Sequence, residues 1–371
     1  MRALAELIAG GIAQLFSISF TLIVASLHFA RGGESVLYGC VTLSIFCLAG
    51  WITNWFNYAR HEVNRQAQRP AYKRVLIILR NFFPGYSILS WHLEWLRSPS
   101  SWSAEYWVSV LRLFHGTLGD LPQAILQTYL IIRLWWEKNI EVWDFNMLIV
   151  LSCVSASMVV FSVCSYIRKE HFEEEHRWPK NKDFLVVVIA TILNLGGRVT
   201  SLAMVGNVFS GWWMTGGFAF ILSFNYFISL HISARGKGGE GSCAEKIFYT
   251  IPLASLYALS MTRKRGLMVL NTMLWLCLSL PQLAFYNERL LQWVLFGVPF
   301  LAQIVALLLL LCKWRVVEVA FRRFERLEER PVNERIRRGR EKGQERETTT
   351  NETEGEISQL IKKEGEIQDS T

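Results

Sequence analysis

Apolar residues run through this chain in blocks of about 20, set off from one another by short polar or charged stretches. A helix rises about 1.5 Å per residue, so a block of about 20 crosses a hydrocarbon core about 30 Å thick. Such blocks occupy residues 7–29, 36–58, 142–166, 184–209, 212–232, 266–286 and 290–312. An eighth, within 106–136, is long enough but carries Asp120, Pro122, Gln123, Gln127 and Arg133. Counted from Asp120, Gln123 and Gln127 fall at i+3 and i+7, which puts all three on one helical face. Two further apolar segments are interrupted: 71–95 by Arg74, Arg80 and Pro84, and 243–261 by Pro252. The expected fold is all-α, a polytopic membrane protein with eight transmembrane helices and two re-entrant helices.

Charge turns that pattern into an orientation. Arg60, Arg65, Arg69, Lys73 and Arg74 follow the second block, and Arg168, Lys169, Arg177, Lys180 and Lys182 surround the junction of the fourth and fifth. Arg235, Lys237 and Lys246, then Arg263, Lys264 and Arg265, flank the second interrupted segment, while the remaining loops are short and poor in Lys and Arg. With eight spans and two non-crossing segments every loop obeys the positive-inside rule, and both termini are cytosolic. The formal charge of +8 then reports orientation, and no nucleic-acid partner is expected. The first block exceeds a signal-peptide core and reads as a span. Leu121-Pro122-Gln123 recurs as Leu280-Pro281-Gln282, which suggests parallel repeats over 1–170 and 183–312 within a transmembrane domain of 1–312. A cytosolic tail, 313–371, has 12 basic and 7 acidic residues over 313–346 and 2 basic against 7 acidic beyond, so its distal part is expected to be disordered.

Candidate chemistry is sparse. There is no P-loop, GxSxG or HExxH, and the seven cysteines show no metal-type spacing, so neither an enzyme nor a cofactor is expected. The one His/Glu box, His171-Phe172-Glu173-Glu174-Glu175-His176, reads as a solvated loop and not a metal site. Ionisable and amide side chains inside spans are costly and mark functional positions. Besides the 113–136 stretch they are Gln14, Asn54, Asn194, Arg198, Asn225, Asn271, Gln282 and Gln303. Arg198 sits midway along its block with Asn194 one turn before it, and is expected to pair with Asp120 or to serve as a structural anchor.

The run LRLFHGTLGDLPQAILQTYLI resembles the XK-related family of membrane proteins, through Leu111-Arg112-Leu113-Phe114, Pro122-Gln123, Leu126-Gln127 and Tyr129. VTLSIFCLAGWITNWF, Arg198-Val199 with its following SLAM, and EKIFYTIPLASLYAL are similar to other family segments in the same order, so the resemblance covers about 7–312. It implies eight spans with two re-entrant helices. It also implies an ATP-independent phospholipid scramblase of the plasma membrane, exposing phosphatidylserine in apoptosis and switched on when a caspase removes a terminal tail. Asp120, Gln123, Gln127, Asn194 and Arg198 would line the lipid pathway, with Tyr38 and Trp51 as gates. Asp369 is the tail's one candidate caspase site, and cleavage there removes two residues. The sequence departs from the family pattern: the first span holds no acidic residue, and His115 and Gly119 stand where Glu is expected. Expected partners are membrane phospholipids and either a single-span subunit or a second copy. The open alternatives are a small-solute transporter or channel and a non-scrambling, partner-binding relative.

Overall fold

The computed structural model describes residues 2–59, 71–97, 102–137, 142–175, 178–235, 264–280 and 290–319, with seven isolated positions between 250 and 262. The described residues are helical, with no strand. The helices are α1 (Arg2–Arg31), α2 (Ser35–Asn57), α3 (Ala71–Asn81), α4 (Tyr86–Arg97), α5 (Trp102–His115), α6 (Leu121–Glu137), α7 (Val142–Glu175), α8 (Asn181–Val208), α9 (Gly211–Arg235), α10 (Arg265–Ser279) and α11 (Leu290–Cys312). Among them α1, α2, α7, α8 and α9 contain stretches long and apolar enough to cross a membrane, and α10 and residues 297–312 of α11 are shorter apolar helices. Exposed Trp135 and Trp136 close α6, and Trp212 and Trp213 open α9 beside it, where Tyr129 packs against Gly206 and Gly211. Clustered tryptophans of this kind mark a membrane–water interface. The chain is a multi-pass helical membrane protein.

One helical path lies at the centre. Between α5 and α6 the helix widens into a single π turn, Gly116–Asp120. Pro122 has no N–H to give the carbonyl four residues back, and the Leu121 N–H bonds the Gly116 carbonyl instead. Two glycines let neighbours approach this turn: a Cβ at Gly116 would lie 2.9 Å from Ser162 Oγ of α7, and one at Gly119 2.9 Å from Ala49 Cβ of α2. With α2, α7 and α8 packed around it, the path is buried on nearly every side from Ala104 to Ile132.

The interruption expected in 71–95 falls at Phe82–Gly85, where Gly85 adopts φ +80° and the chain turns from α3 into α4. Residues of α2 hold that turn. Asn54 Nδ2 donates to the carbonyls of Asn81 (2.9 Å) and Phe83 (2.6 Å), and the Ser87 N–H donates to Asn54 Oδ1 (3.0 Å). Trp51 Nε1 donates to the Phe82 carbonyl (2.7 Å) and Trp91 Nε1 to Asn57 Oδ1 (2.7 Å). Because α3 and α4 have 11 and 12 residues, each is about 17 Å long, too short to cross alone.

In the second half α8 meets α11 so closely that a Cβ at Gly197 would lie 2.7 Å from the Pro299 carbonyl oxygen. Gln303 Nε2 donates to Ser201 Oγ nearby (3.1 Å). Beyond α11 the chain continues as a helical turn over 314–319. Lys313 there pairs with Asp183 at 2.6 Å, Arg265 stacks 4.5 Å from the Trp314 ring, and Val316, Val317 and Val319 are buried. Pro281 and Gln282 of the apparent repeat, most of the 243–261 segment, and the tail from 320 on with Asp369 lie outside the described residues.

Candidate functional site

Polar positions on α1 recur as Gly10, Gln14, Ser17, Thr21 and His28, at steps of four, three, four and seven, and so form one stripe on a helix. All five are buried, and the stripe meets the central path at Gly10 and Ser17. Ser17 Oγ donates to Asp120 Oδ1 at 2.8 Å, and Thr21 Oγ1 donates to the Ser17 carbonyl at 2.8 Å. At one end Arg112 lies against bare Gly10, donates to His92 Nε2 and stands 5.5 Å from the Phe161 ring. His92 Nδ1 donates in turn to the Ile88 carbonyl (2.6 Å). Toward the other end Gln127 Nε2 donates to Thr42 Oγ1 of α2 (3.4 Å). Arg133 then donates to the Tyr38 hydroxyl and reaches Glu34 at 3.6 Å. From Arg112 to Arg133 the helix climbs about 30 Å, the thickness of a hydrocarbon core.

The column is rich in groups that the protein leaves unpaired. Among the described residues neither amide atom of Gln14 nor of Gln123 has a hydrogen-bond partner, and the same holds for Asp120 Oδ2, Gln127 Oε1 and both ring nitrogens of His28. Gln14, Asp120, Gln123 and Gln127 are 6, 4, 3 and 0% exposed, so lipid and bulk water do not reach them. An orphaned buried group costs about 1–3 kcal/mol. Polar capacity kept at that cost, one turn either side of the Ser17–Asp120 bond, suits ordered water or a polar group in transit.

The structure sets Asp120 against Ser17 of α1 and Gln127 against Thr42 of α2, and separates both from Asn194 and Arg198. The expected Asp120–Arg198 pair is not formed. Asp120 faces α1, whereas Arg198 points from α8 toward α10, where Nη2 donates to Thr272 Oγ1 (3.5 Å) and the guanidinium stands 5.2 Å from the Trp275 ring. Asn194 Nδ2 donates to the Leu259 carbonyl (2.5 Å), fastening the second interrupted segment much as Asn54 fastens the first. Trp51 is committed to the Phe82 carbonyl, and Tyr38 to Arg133 at the end of the column. Tyr129 lends its carbonyl to Asn207 Nδ2 (3.0 Å). The described part of the His171–Glu175 stretch is no solvated loop: α7 runs to Glu175 beside α5, burying His171 and Glu170. Tyr106 donates to Glu170 Oε1 (2.5 Å), and Lys169 pairs with Glu105 (3.5 Å). Sequence reasoning passed over Ser17, Thr21, Thr42, His92 and Arg112. The 14/17/21 spacing on the first span was the visible signal for two of them.

A multi-pass helical membrane protein built around a buried polar column is the class that fold and site define. The family model described as XK-related protein matches residues 7–321, and the chain belongs to the XK-related family. No curated protein matches it.

Proposed function

We propose that this XK-related protein is an ATP-independent phospholipid scramblase of the plasma membrane, with eight crossings, two re-entrant helices and both termini in the cytosol. It exposes phosphatidylserine at the cell surface, in apoptosis among other settings, under control of its tail or of a partner. The observation that carries the reading is the column of orphaned polar atoms along a helix as long as the bilayer core is thick. A headgroup crossing hydrocarbon needs polar partners along its whole route, while its acyl chains remain in lipid. Asp120, Gln123 and Gln127 supply such partners from α6 and its π turn, with Gln14 and Ser17 supplying them from α1. Two bonds in the middle of the column fasten it shut, Ser17–Asp120 and the long Gln127–Thr42 contact. Parting α1 and α2 from α6 breaks both and opens the column to lipid. No bond is made or broken in the substrate, so no catalytic residue, cofactor or metal is assigned. Besides phospholipids, the partners of this reading are a single-span subunit or a second copy.

A second reading, a channel or carrier for a small polar solute, is favoured by the way α1 and α2 close the column on its flanks. Reconstitution into liposomes with fluorescent lipids separates the two. Under the scramblase reading the protein makes nearly all the label accessible to an external quencher, against about half in empty liposomes. Solute flux with no lipid exchange would favour the alternative.

A further inference from the structure

Away from the column, α7 and α8 leave a slot of about 540 Å³ between them, within the size range of small-ligand pockets. The two helices are consecutive and antiparallel, so its lining runs from Arg168 and Phe184 near their connection to Ser157 and Gly196 at the far end. From Arg168 back to Ser157 the helix rises about 17 Å, close to half a bilayer core. The walls are apolar or small throughout, with Arg168 their one charged residue. At the far end a Cβ on Gly196 would meet nothing within 4 Å, so the slot is open there. The mouth is cationic. The Arg168 guanidinium stands 4.8 Å from the Trp178 ring and 5.9 Å from that of Phe184, exposed Lys180 and Lys182 begin α8, and the one acidic residue of that first turn, Asp183, is paired with Lys313. A guanidinium over ring faces is a planar, permanently charged group whose several N–H donors match the oxygens of a phosphate.

We infer that this slot binds an anionic phospholipid of the leaflet it faces, with the headgroup phosphate at Arg168 and one acyl chain lying between α7 and α8 toward Gly196. Charge at the mouth, apolar walls behind it and a length of one leaflet together select that ligand over a soluble anion or a free fatty chain. The site shares no polar residue with the column and meets it only at Phe161, whose ring stands beside Arg112, and a lipid resident there braces α7 against α8 whether or not other lipids cross.

The test uses the full chain in nanodiscs of equal phosphatidylserine and phosphatidylcholine, moved into mild detergent and weighed by native mass spectrometry. Wild type is expected to keep one phosphatidylserine, at least fivefold over phosphatidylcholine. Gly196→Leu, which fills open space, is expected to cut retained lipid at least fivefold at an unchanged melting temperature. Ser157→Leu fills the facing wall and serves if the first variant folds poorly. Arg168→Gln is expected to keep a lipid but lose the preference for phosphatidylserine. Equal retention of the two lipids by wild type, or undiminished retention in a folded slot-filled variant, overturns the inference. Lipid movement does not enter this readout, so its failure is distinct from failure of the scramblase reading.

Discussion

Buried amides in this protein fall into two groups. Asn54 uses its oxygen and its nitrogen on three backbone groups of one turn, and Asn54→Leu withdraws a partner from each of them. The Phe83 carbonyl keeps the Tyr86 N–H (3.1 Å), so the groups left without a partner are the Ser87 N–H and the Asn81 carbonyl. The expected cost is about 2 kcal/mol, read as a lower melting temperature and a lower yield of folded protein. Gln14 and Gln123 have no such work. Arg198 belongs with Asn54: it ties α8 to Thr272 and Trp275 of α10, and Arg198→Leu is expected to lower surface expression and lipid externalisation in equal proportion. Externalisation lost at normal expression would return Arg198 to the pathway. Intramembrane polarity was legible at both kinds of site, because any such residue stands out from an apolar block. What each one bonds was not legible, since the Asp120–Ser17 and Arg198–Thr272 partners are 103 and 74 residues apart in sequence.

Helix geometry decides how these side chains are aimed. Removing the π turn rotates α5 against α6 by about one residue, or about 100°. Pro122→Ala restores the missing N–H and favours that change, so it is expected to preserve or raise the melting temperature while taking Arg112 and Asp120 out of register with α1 and slowing lipid exchange severalfold. Unchanged exchange would show that the register of this turn is not used. Neighbouring glycines on α8 make a sharper pair. Gly197→Ala pushes a methyl to 2.7 Å from the Pro299 carbonyl and is expected to cost about 1–3 kcal/mol, whereas Gly196→Ala meets open space and is expected to be neutral or slightly stabilising in the same thermal assay. The break at Pro84 and the burial of Asp120, Gln123 and Gln127 were readable from local pattern. The π turn was not, although Gly116, Gly119 and Pro122 were its ingredients.

Hydropathy along a chain counts helices that face lipid, and it undercounts a helix that faces only protein. The central path from α5 through α6 is surrounded by its neighbours, so it can carry Glu105, Arg112 and Asp120 without exposing them to hydrocarbon. That arrangement explains why five described helices qualify as spans by composition while the helix on which the rest pack does not. A polar interior of this kind is unfavourable for stability alone, because well-packed apolar side chains would serve the fold better.

That difference between stability and use can be measured at Gln123. Gln123→Leu replaces two orphaned polar atoms with apolar ones of similar volume, so the folded protein is expected to melt at the same or a higher temperature. In liposomes carrying fluorescent lipids, the same variant is expected to exchange lipid at least tenfold more slowly than wild type. Exchange at the wild-type rate in the stabilised variant would contradict a lipid pathway through the column.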